Sequence, residues 1–112
     1  MSFLNNFEIK SETFPVHRNW GFHLDNGLGI SIAVGQMAYC SPKRVLSSLD
    51  QYESVEVAVL RDGEYIDVSK SGAPYRHQYD SVLPYLDIKE FEDIFNALST
   101  LTSEQVQELK VF

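Results

Sequence analysis

The sequence predicts an α+β fold: an antiparallel sheet of about four to five strands with two C-terminal helices packed on one face. Two hairpin patterns, at residues 20–34 and 54–68, predict the sheet. Apolar side chains at helical spacing, beginning near residue 86, predict the helices. A length of 112 residues with 44% hydrophobic content fits one folded core. We therefore expect residues 1–112 to form a single domain.

The first hairpin lies in "WGFHLDNGLGISIAVG", residues 20–35. A two-residue turn at Asn26-Gly27 would mix apolar and polar side chains on both faces of the sheet. A type I turn at Asp25-Asn26 with Gly27 in the left-handed region separates them instead. One face then holds Trp20, Phe22, Leu24, Leu28, Ile30, Ile32 and Val34. The other face holds Gly21, His23, Gly29, Ser31 and Ala33. We expect the second register, since a one-residue slip would expose the apolar set.

The second hairpin, residues 54–68, carries the strong turn signal Asp62-Gly63. A two-residue turn there keeps the apolar residues together and predicts three cross-strand pairs. These pairs are Arg61 with Glu64, Val59 with Ile66, and Val57 with Val68. Further towards the N-terminus, "FEIKSETF" alternates weakly and predicts a first strand, which Pro15 ends or confines to an edge.

Three helices are predicted outside the sheet. Ser41 and Pro42 resemble an N-cap and first helical residue, so a short helix is expected there with Val45, Leu46 and Leu49 facing the sheet. Two C-terminal helices are expected at about residues 87–99 and 103–110. Each begins with a capping-box pattern, Asp87 with Glu90 and Thr102 with Gln105.

Strand parity indicates which end of the molecule carries function. If the four hairpin strands run antiparallel in sequence order, both tight turns lie at one end. The long connections, about residues 36–52 and 69–86, then lie at the other end, and long loops are often functional. We expect binding residues at that end: His17, Arg18, Asn19, Tyr39, Cys40, Lys43, Arg44, Tyr75, Arg76, His77, Tyr79 and Asp80. The segment "APYRHQYD" is the most suggestive, because Tyr and Arg favour binding surfaces. His23, over small neighbours on the non-core face, is a further candidate contact.

Catalytic and metal chemistry have weaker signals. Cys40 could act as a nucleophile if His17 or His77 supplied a base across the loops. The same residues with Asp80 lack the spacing typical of metal sites, and no metal or cofactor is expected. Gly27-x-Gly29 is followed by a strand rather than a helix, which argues against a phosphate loop. The acidic run Glu90, Glu92 and Asp93 is typical of a solvent-exposed helix face. The alternative is that it mimics nucleic acid and occupies the basic groove of a partner.

The net charge and the cysteine content restrict the classes of partner and the cellular compartment that we expect. A net charge of −7 argues against direct nucleic-acid binding and allows a basic protein partner. A single cysteine suggests a reducing, cytoplasmic setting. The N-terminus "MSFLNNFEIK" lacks a signal-peptide pattern, and no apolar run reaches the roughly 20 residues of a membrane helix. A monomer and a homodimer are equally compatible with the sequence.

The stretch "FPVHRNWGFHLDNGLGISIAVGQMAYC" resembles small proteins of tailed bacteriophages and their hosts. The shared pattern runs from Asn19 to His23, through Asn26-Gly27 and Ile30 to Ile32, to Gly35 and Tyr39-Cys40. This resemblance implies a phage-type accessory protein acting in a bacterial cytoplasm, and it carries over no functional residue.

Three functions follow as expectations. The first is a binding protein that modulates or blocks a host component, such as a defence protein. The alternative is a protein that binds or sequesters a small molecule or nucleotide in a pocket at the long-loop end. The third is a small hydrolase-like enzyme using Cys40 or a histidine.

Overall fold

Six antiparallel strands form one sheet in the computed structural model, which describes residues 2–112. The strands are β1 (Glu8–Thr13), β2 (His17–His23), β3 (Leu28–Gly35), β4 (Val55–Arg61), β5 (Glu64–Tyr65) and β6 (Leu83–Leu86). Strands β1 to β4 are neighbours in sequence order, and β5 and β6 share the far edge of β4. The two helices are α1 (Ile88–Ser99) and α2 (Ser103–Glu108). The α+β prediction is confirmed, with one unpredicted strand, β6, which is short and contains a proline.

The first hairpin has the predicted register. Trp20 pairs with Ile32 and Phe22 with Ile30, while the Leu24 amide donates to the Leu28 carbonyl at 2.8 Å. Gly27 has a φ of +99°, in the region that favours glycine. The apolar face made by this register is the floor of the core.

The second hairpin begins as predicted and then departs from the sheet. Arg61 pairs with Glu64, and the Ile66 amide donates to the Val59 carbonyl at 2.8 Å. The expected pairing of Val57 with Val68 is wrong, because β6 occupies that edge and pairs Leu83 with Val57. Val68 begins a 3-10 turn instead, capped by the Asp67 side chain, and remains fully buried.

The helix expected after Pro42 is absent from the described chain. Ser41 instead forms an isolated bridge with Ser54, which holds its backbone extended. Its carbonyl, which at a helix N-cap would accept the first intrahelical hydrogen bond, accepts instead from the Glu53 amide at 2.9 Å. The Tyr52 hydroxyl supplies hydrogen bonds to two backbone groups of this loop. It accepts from the Leu46 amide and donates to the Arg44 carbonyl. Val45 and Leu46 still pack against the core, without helical geometry.

The C-terminal helices confirm both capping boxes. Asp87 accepts from the Glu90 amide at 2.8 Å, and Thr102 accepts from the Gln105 amide at 3.1 Å. Helix α1 buries an apolar stripe on the sheet, formed by Phe91, Ile94, Phe95 and Leu98. Phe3 packs its ring 5.0 Å from that of Phe91, so the N-terminal segment closes one side of the core.

Each tight turn also holds the C-terminal end of one helix. Asn26, in the first turn, donates from Nδ2 to the carbonyls of Leu98 and Leu101 at 2.9 and 3.0 Å. Arg61, beside the second turn, donates from Nη1 to the carbonyls of Val106 and Leu109, both at 2.7 Å. Last-turn carbonyls of a helix lack α-helical partners, and those of Leu98 and Val106 accept only long backbone bonds of 3.3 and 3.2 Å, so these side chains add a second, shorter bond at each helix end.

The two hairpins are neighbours, as the parity argument requires, because β3 pairs with β4. We call the end with the turns at residues 25–27 and 62–63 the tight-turn end. The opposite end, with the turn at 14–16 and the β3–β4 connection at 36–54, is the long-loop end.

Candidate functional site

Three tyrosines from different segments meet at the long-loop end. Tyr39 lies in the β3–β4 connection, Tyr79 in the β5–β6 connection and Tyr85 in β6. The ring centroid of Tyr39 lies 5.8 Å from that of Tyr79 and 6.0 Å from that of Tyr85. These distances are typical of interacting aromatic pairs. We call the group, together with Lys43, His77 and Asp80, the tyrosine cluster.

A β-bulge in β6 places Tyr85 in the cluster. Val55 pairs with Leu86 and Val57 with Leu83, so Pro84 and Tyr85 together oppose the single residue Glu56. Tyr85 has a φ of +50°, which a bulky residue rarely adopts. Its amide donates to the Tyr39 carbonyl at 3.0 Å, which joins the two segments. Bulges commonly redirect a side chain next to a functional site, and this one does so at a surface position.

A tight turn holds the third tyrosine. The amide of Tyr79 donates to the Val82 carbonyl at 2.8 Å, and the amide of Val82 returns a bond of 2.9 Å to Tyr79. The residues between them, Asp80 and Ser81, have φ values of +48° and +66°. This is the mirror-image turn geometry that usually selects glycine or asparagine. Backbone of this kind persists only where its surroundings fix it, so the turn presents Tyr79 in a defined position.

One exposed ammonium group lies beside two rings of the cluster. Lys43 Nζ lies 5.2 Å from the ring centroid of Tyr85 and 6.0 Å from that of Tyr39, within cation–π range. It also donates to the Ala38 carbonyl at 2.8 Å. A hydrogen bond with Tyr85 raises the pKa of Lys43, so its charge is retained at neutral pH. The cluster therefore combines flat aromatic rings with one fixed positive charge.

The hydroxyl of Tyr39 faces a negatively charged carboxylate. It lies 3.5 Å from a carboxylate oxygen of Asp80. Desolvation first, and the Asp80 carboxylate second, raise the pKa of Tyr39. The hydroxyl is therefore a neutral donor at physiological pH. Tyr79 and Tyr85 remain 51% and 43% exposed, so a partner can reach both rings.

The segment "APYRHQYD" divides between the site and the scaffold. His77 stacks on Tyr79 with a centroid distance of 6.0 Å, and Asp80 faces Tyr39. Arg76 pairs instead with Glu90 of α1, its Nη2 lying 3.1 Å from Oε1. Tyr75 is half-buried against the core. The structure therefore brings together only part of the predicted segment.

The predicted residues at the start of β2 form a separate polar group. Arg18 pairs with Glu12, donates to the Leu46 carbonyl at 3.1 Å and lies 5.3 Å over the Trp20 ring. The bond to Leu46 ties the sheet to the β3–β4 connection, whereas the contacts with Glu12 and Trp20 lie within the sheet, so Arg18 has a structural role.

His17 and Asn19 share a hydrogen bond, and Asn19 donates to the Ser31 hydroxyl at 3.0 Å. His23, the other predicted contact on this side of the sheet, stands opposite Gly29 in the register. A Cβ at Gly29 would lie 3.4 Å from the imidazole, so the His23 ring rests on the glycine.

Cys40 is buried, with 1% of its surface exposed. Its thiol lies 3.6 Å from the Gly35 carbonyl and 3.4 Å from the Pro42 carbonyl. Both groups accept hydrogen bonds, and neither is a base that could take the proton from a nucleophilic thiol. Burial raises the pKa of the Cys40 thiol, which is therefore protonated at neutral pH. This environment is typical of a structural cysteine.

Sequence reasoning missed two members of the site. Tyr85 lies in "VLPYL", which resembles a plain buried strand, although Pro84 could have signalled an edge or bulge. Glu56 accepts from the Tyr39 amide at 3.0 Å and so fixes the start of the loop. Glu56 alternates with buried valines and carries no local mark of this contact.

Two cavities accompany these surfaces. A small one of about 220 Å³ lies beside the cluster and is lined in part by His77 and Tyr85. A wider one of about 480 Å³ lies at the tight-turn end, between the first hairpin and the α1–α2 junction. Its volume falls in the range of small-molecule sites, whereas the smaller cavity falls below it. The long-loop end, where a pocket is expected, also has a cavity of about 300 Å³ that is lined in part by Ser48 and Leu49 of the β3–β4 connection.

Among residues 2–112, no group of three His, Cys, Asp or Glu side chains is arranged to hold a metal ion. No helix in the same part of the chain is long and apolar enough to cross a membrane. Comparison with protein families, with curated proteins and with solved structures found no match to the chain.

Proposed function

We propose that the protein acts by binding another protein through the tyrosine cluster. The observation that carries this proposal is the convergence of three tyrosines from separate segments on an exposed, conformationally fixed surface. Tyrosine gives a large contact area with only two side-chain torsions to immobilise, and it is enriched among residues that dominate binding energy. Because the bulge and the turn already fix two of the rings, little ordering cost remains on association.

The partner we propose is a bacterial host protein, which this chain modulates or blocks as a phage-type accessory protein. The resemblance of residues 14–40 to small phage and bacterial proteins supports this choice of partner. The net charge of −7 favours a partner with a basic surface and disfavours nucleic acid. Within the cluster, a partner would meet the Asp80 carboxylate and the Lys43 ammonium beside the rings, so the preference for a basic partner rests on the net charge of the chain.

A hydrolase-like activity at Cys40 is not proposed. A nucleophilic cysteine needs an exposed thiolate beside a base. Cys40 is buried, and its thiol contacts backbone carbonyls.

The test compares matched tyrosine variants in capture from a bacterial lysate, followed by affinity measurement with the captured partner. We expect Tyr79→Ala and Tyr85→Ala each to weaken binding by about tenfold or more, as loss of an interface anchor does. Tyr65→Ala is the control, because Tyr65 is 45% exposed but lies on β5 at the tight-turn end.

Circular dichroism establishes that each variant is folded. Equal loss of binding in the Tyr65 control, or unchanged binding in both cluster variants, would refute the proposal.

A further inference from the structure

The cavity at the tight-turn end has an aromatic floor. The rings of Phe22 and Phe95 stack there at 6.1 Å with an interplanar angle of 27°. Phe22 is only half-buried, and Leu24 and Leu101 flank it in the same state. An apolar surface of this kind, left open at the edge of the core, can bind a flat ring by continuing the stack.

The walls of the cavity are fixed before any ligand arrives. Asn26 joins the hairpin turn to the end of α1 through its bonds to the Leu98 and Leu101 carbonyls. The Asn26 side chain also accepts from the Leu28 amide at 3.2 Å, which fixes its rotamer. A preformed wall lowers the ordering cost of binding a small molecule.

The rim of the cavity is acidic. Asp25 lies on it, exposed, and takes part in none of the ion pairs among residues 2–112. Helix α1 ends at Ser99 and helix α2 begins at Ser103 on the same rim, so their opposite dipole ends offset each other and Asp25 supplies the charge of the rim. The Ser99 and Ser103 hydroxyls complete a rim that suits hydrogen-bond donors on a ligand.

We infer that this cavity binds a small planar aromatic cation, such as an aromatic amidine or amine. The ring stacks on Phe22, and the cationic group pairs with Asp25. This inference is independent of the protein partner, because the cavity and the tyrosine cluster lie at opposite ends of the sheet.

The probes are three compounds of one shape and different charge: 2-naphthamidine, 2-naphthamide and 2-naphthoate. Their binding is followed by NMR chemical shifts of the ¹⁵N-labelled protein. For a ligand of this size we expect the amidine to bind with a Kd of about 1 mM or tighter. It should bind about tenfold tighter than the amide, with the naphthoate weakest. The largest shifts should fall at Leu24, Asp25 and Ser99.

Charge-matched variants separate the site from the overall acidity of the chain. Asp25→Asn should reduce amidine affinity to that of the amide, because it removes the rim charge and keeps the turn-forming side chain. Asp62→Asn removes the same charge from the other tight turn, outside the cavity, and should leave the affinity unchanged. A bulkier rim in Ser103→Tyr should block all three compounds without a change in the circular dichroism spectrum.

Equal affinities for the three compounds, shifts centred elsewhere, or equal effects of the two aspartate variants would each overturn the inference.

Discussion

Asn26 offers the sharpest test of how the hairpin and helix α1 are joined. We expect Asn26→Asp to destabilise the fold, since the change keeps the shape of the side chain but removes both amide donors. Each lost hydrogen bond costs about 1 kcal/mol. A carboxylate facing the carbonyl end of α1 adds a repulsion of about 0.5–1 kcal/mol. The expected total is about 3 kcal/mol, which corresponds to a fall in Tm of about 10 °C for a domain of this size.

Urea unfolding followed by circular dichroism, with a thermal scan alongside, measures this cost. Asn96→Ala is the control, because Asn96 is exposed on the same helix, and alanine there should be neutral or slightly stabilising. The cost of Asn26→Asp should fall as pH is lowered towards about 4, because repulsion raises the pKa of the new carboxyl in the folded chain and the protonated carboxyl regains one donor. A loss of less than about 1 kcal/mol at neutral pH would refute the view that Asn26 caps α1.

Three further substitutions test neighbouring features. Arg61→Met should cost about 3 kcal/mol in urea unfolding, because it leaves the carbonyl of Val106 in α2 and that of Leu109 just after it without their charged donor. Gly35→Ala should prevent folding or lower the Tm far more than Gly27→Ala, since its Cβ would lie 2.0 Å from the Val16 carbonyl, whereas Gly27 has open space around it. Cys40 should react with a disulfide reagent only after denaturant is added, and fast labelling of the native protein would contradict its burial. Because burial raises the pKa of the Cys40 thiol above its unfolded value, the stability it contributes should be present below about pH 8.5 and lost as pH rises further, a trend that Cys40→Ala should reduce.

The parts of the fold that local chemistry determines were predictable. The first hairpin follows from alternation, because only one register keeps Trp20, Phe22 and Leu24 on a single face. The start of α1 follows from Asp87 and Glu90, whose side chains satisfy helix amides within one turn. These signals act over a few residues, so the rest of the chain does not need to be known.

The errors in the fold have a tertiary origin. Ser41 carries the local signature of a helix cap, yet its backbone pairs with Ser54, thirteen residues away. Val68 continues the alternation of the second hairpin, yet β6 takes the position it would have filled. In both cases a distant segment supplies hydrogen bonds that compete with the local preference, and the sequence pattern does not show the competitor.

The candidate site was predictable as a region and only partly as residues. Strand parity indicates that residues around Tyr39 and Tyr79 share one end of the molecule, and the rings do lie together. Strand parity does not predict the position of Tyr85, because that position depends on a bulge with a positive φ. Strand parity does not predict the wider cavity either, because one of its walls is Asn26, which forms hydrogen bonds with residues 72 and 75 positions further along the chain.

The two proposed sites place different demands on the same sheet. The tyrosine cluster depends on loops held at the start of β4, whereas the cavity depends on the turn that precedes β3. Between them lie strands whose core-facing residues, including Ile32 and Val57, are fully buried and closely packed. A β-strand of seven residues, such as β4, spans roughly 23 Å, and sites so far apart with no shared partner affect stability additively. A substitution such as Asp25→Asn is therefore expected to leave protein binding intact, so failure of one proposal would not decide the other.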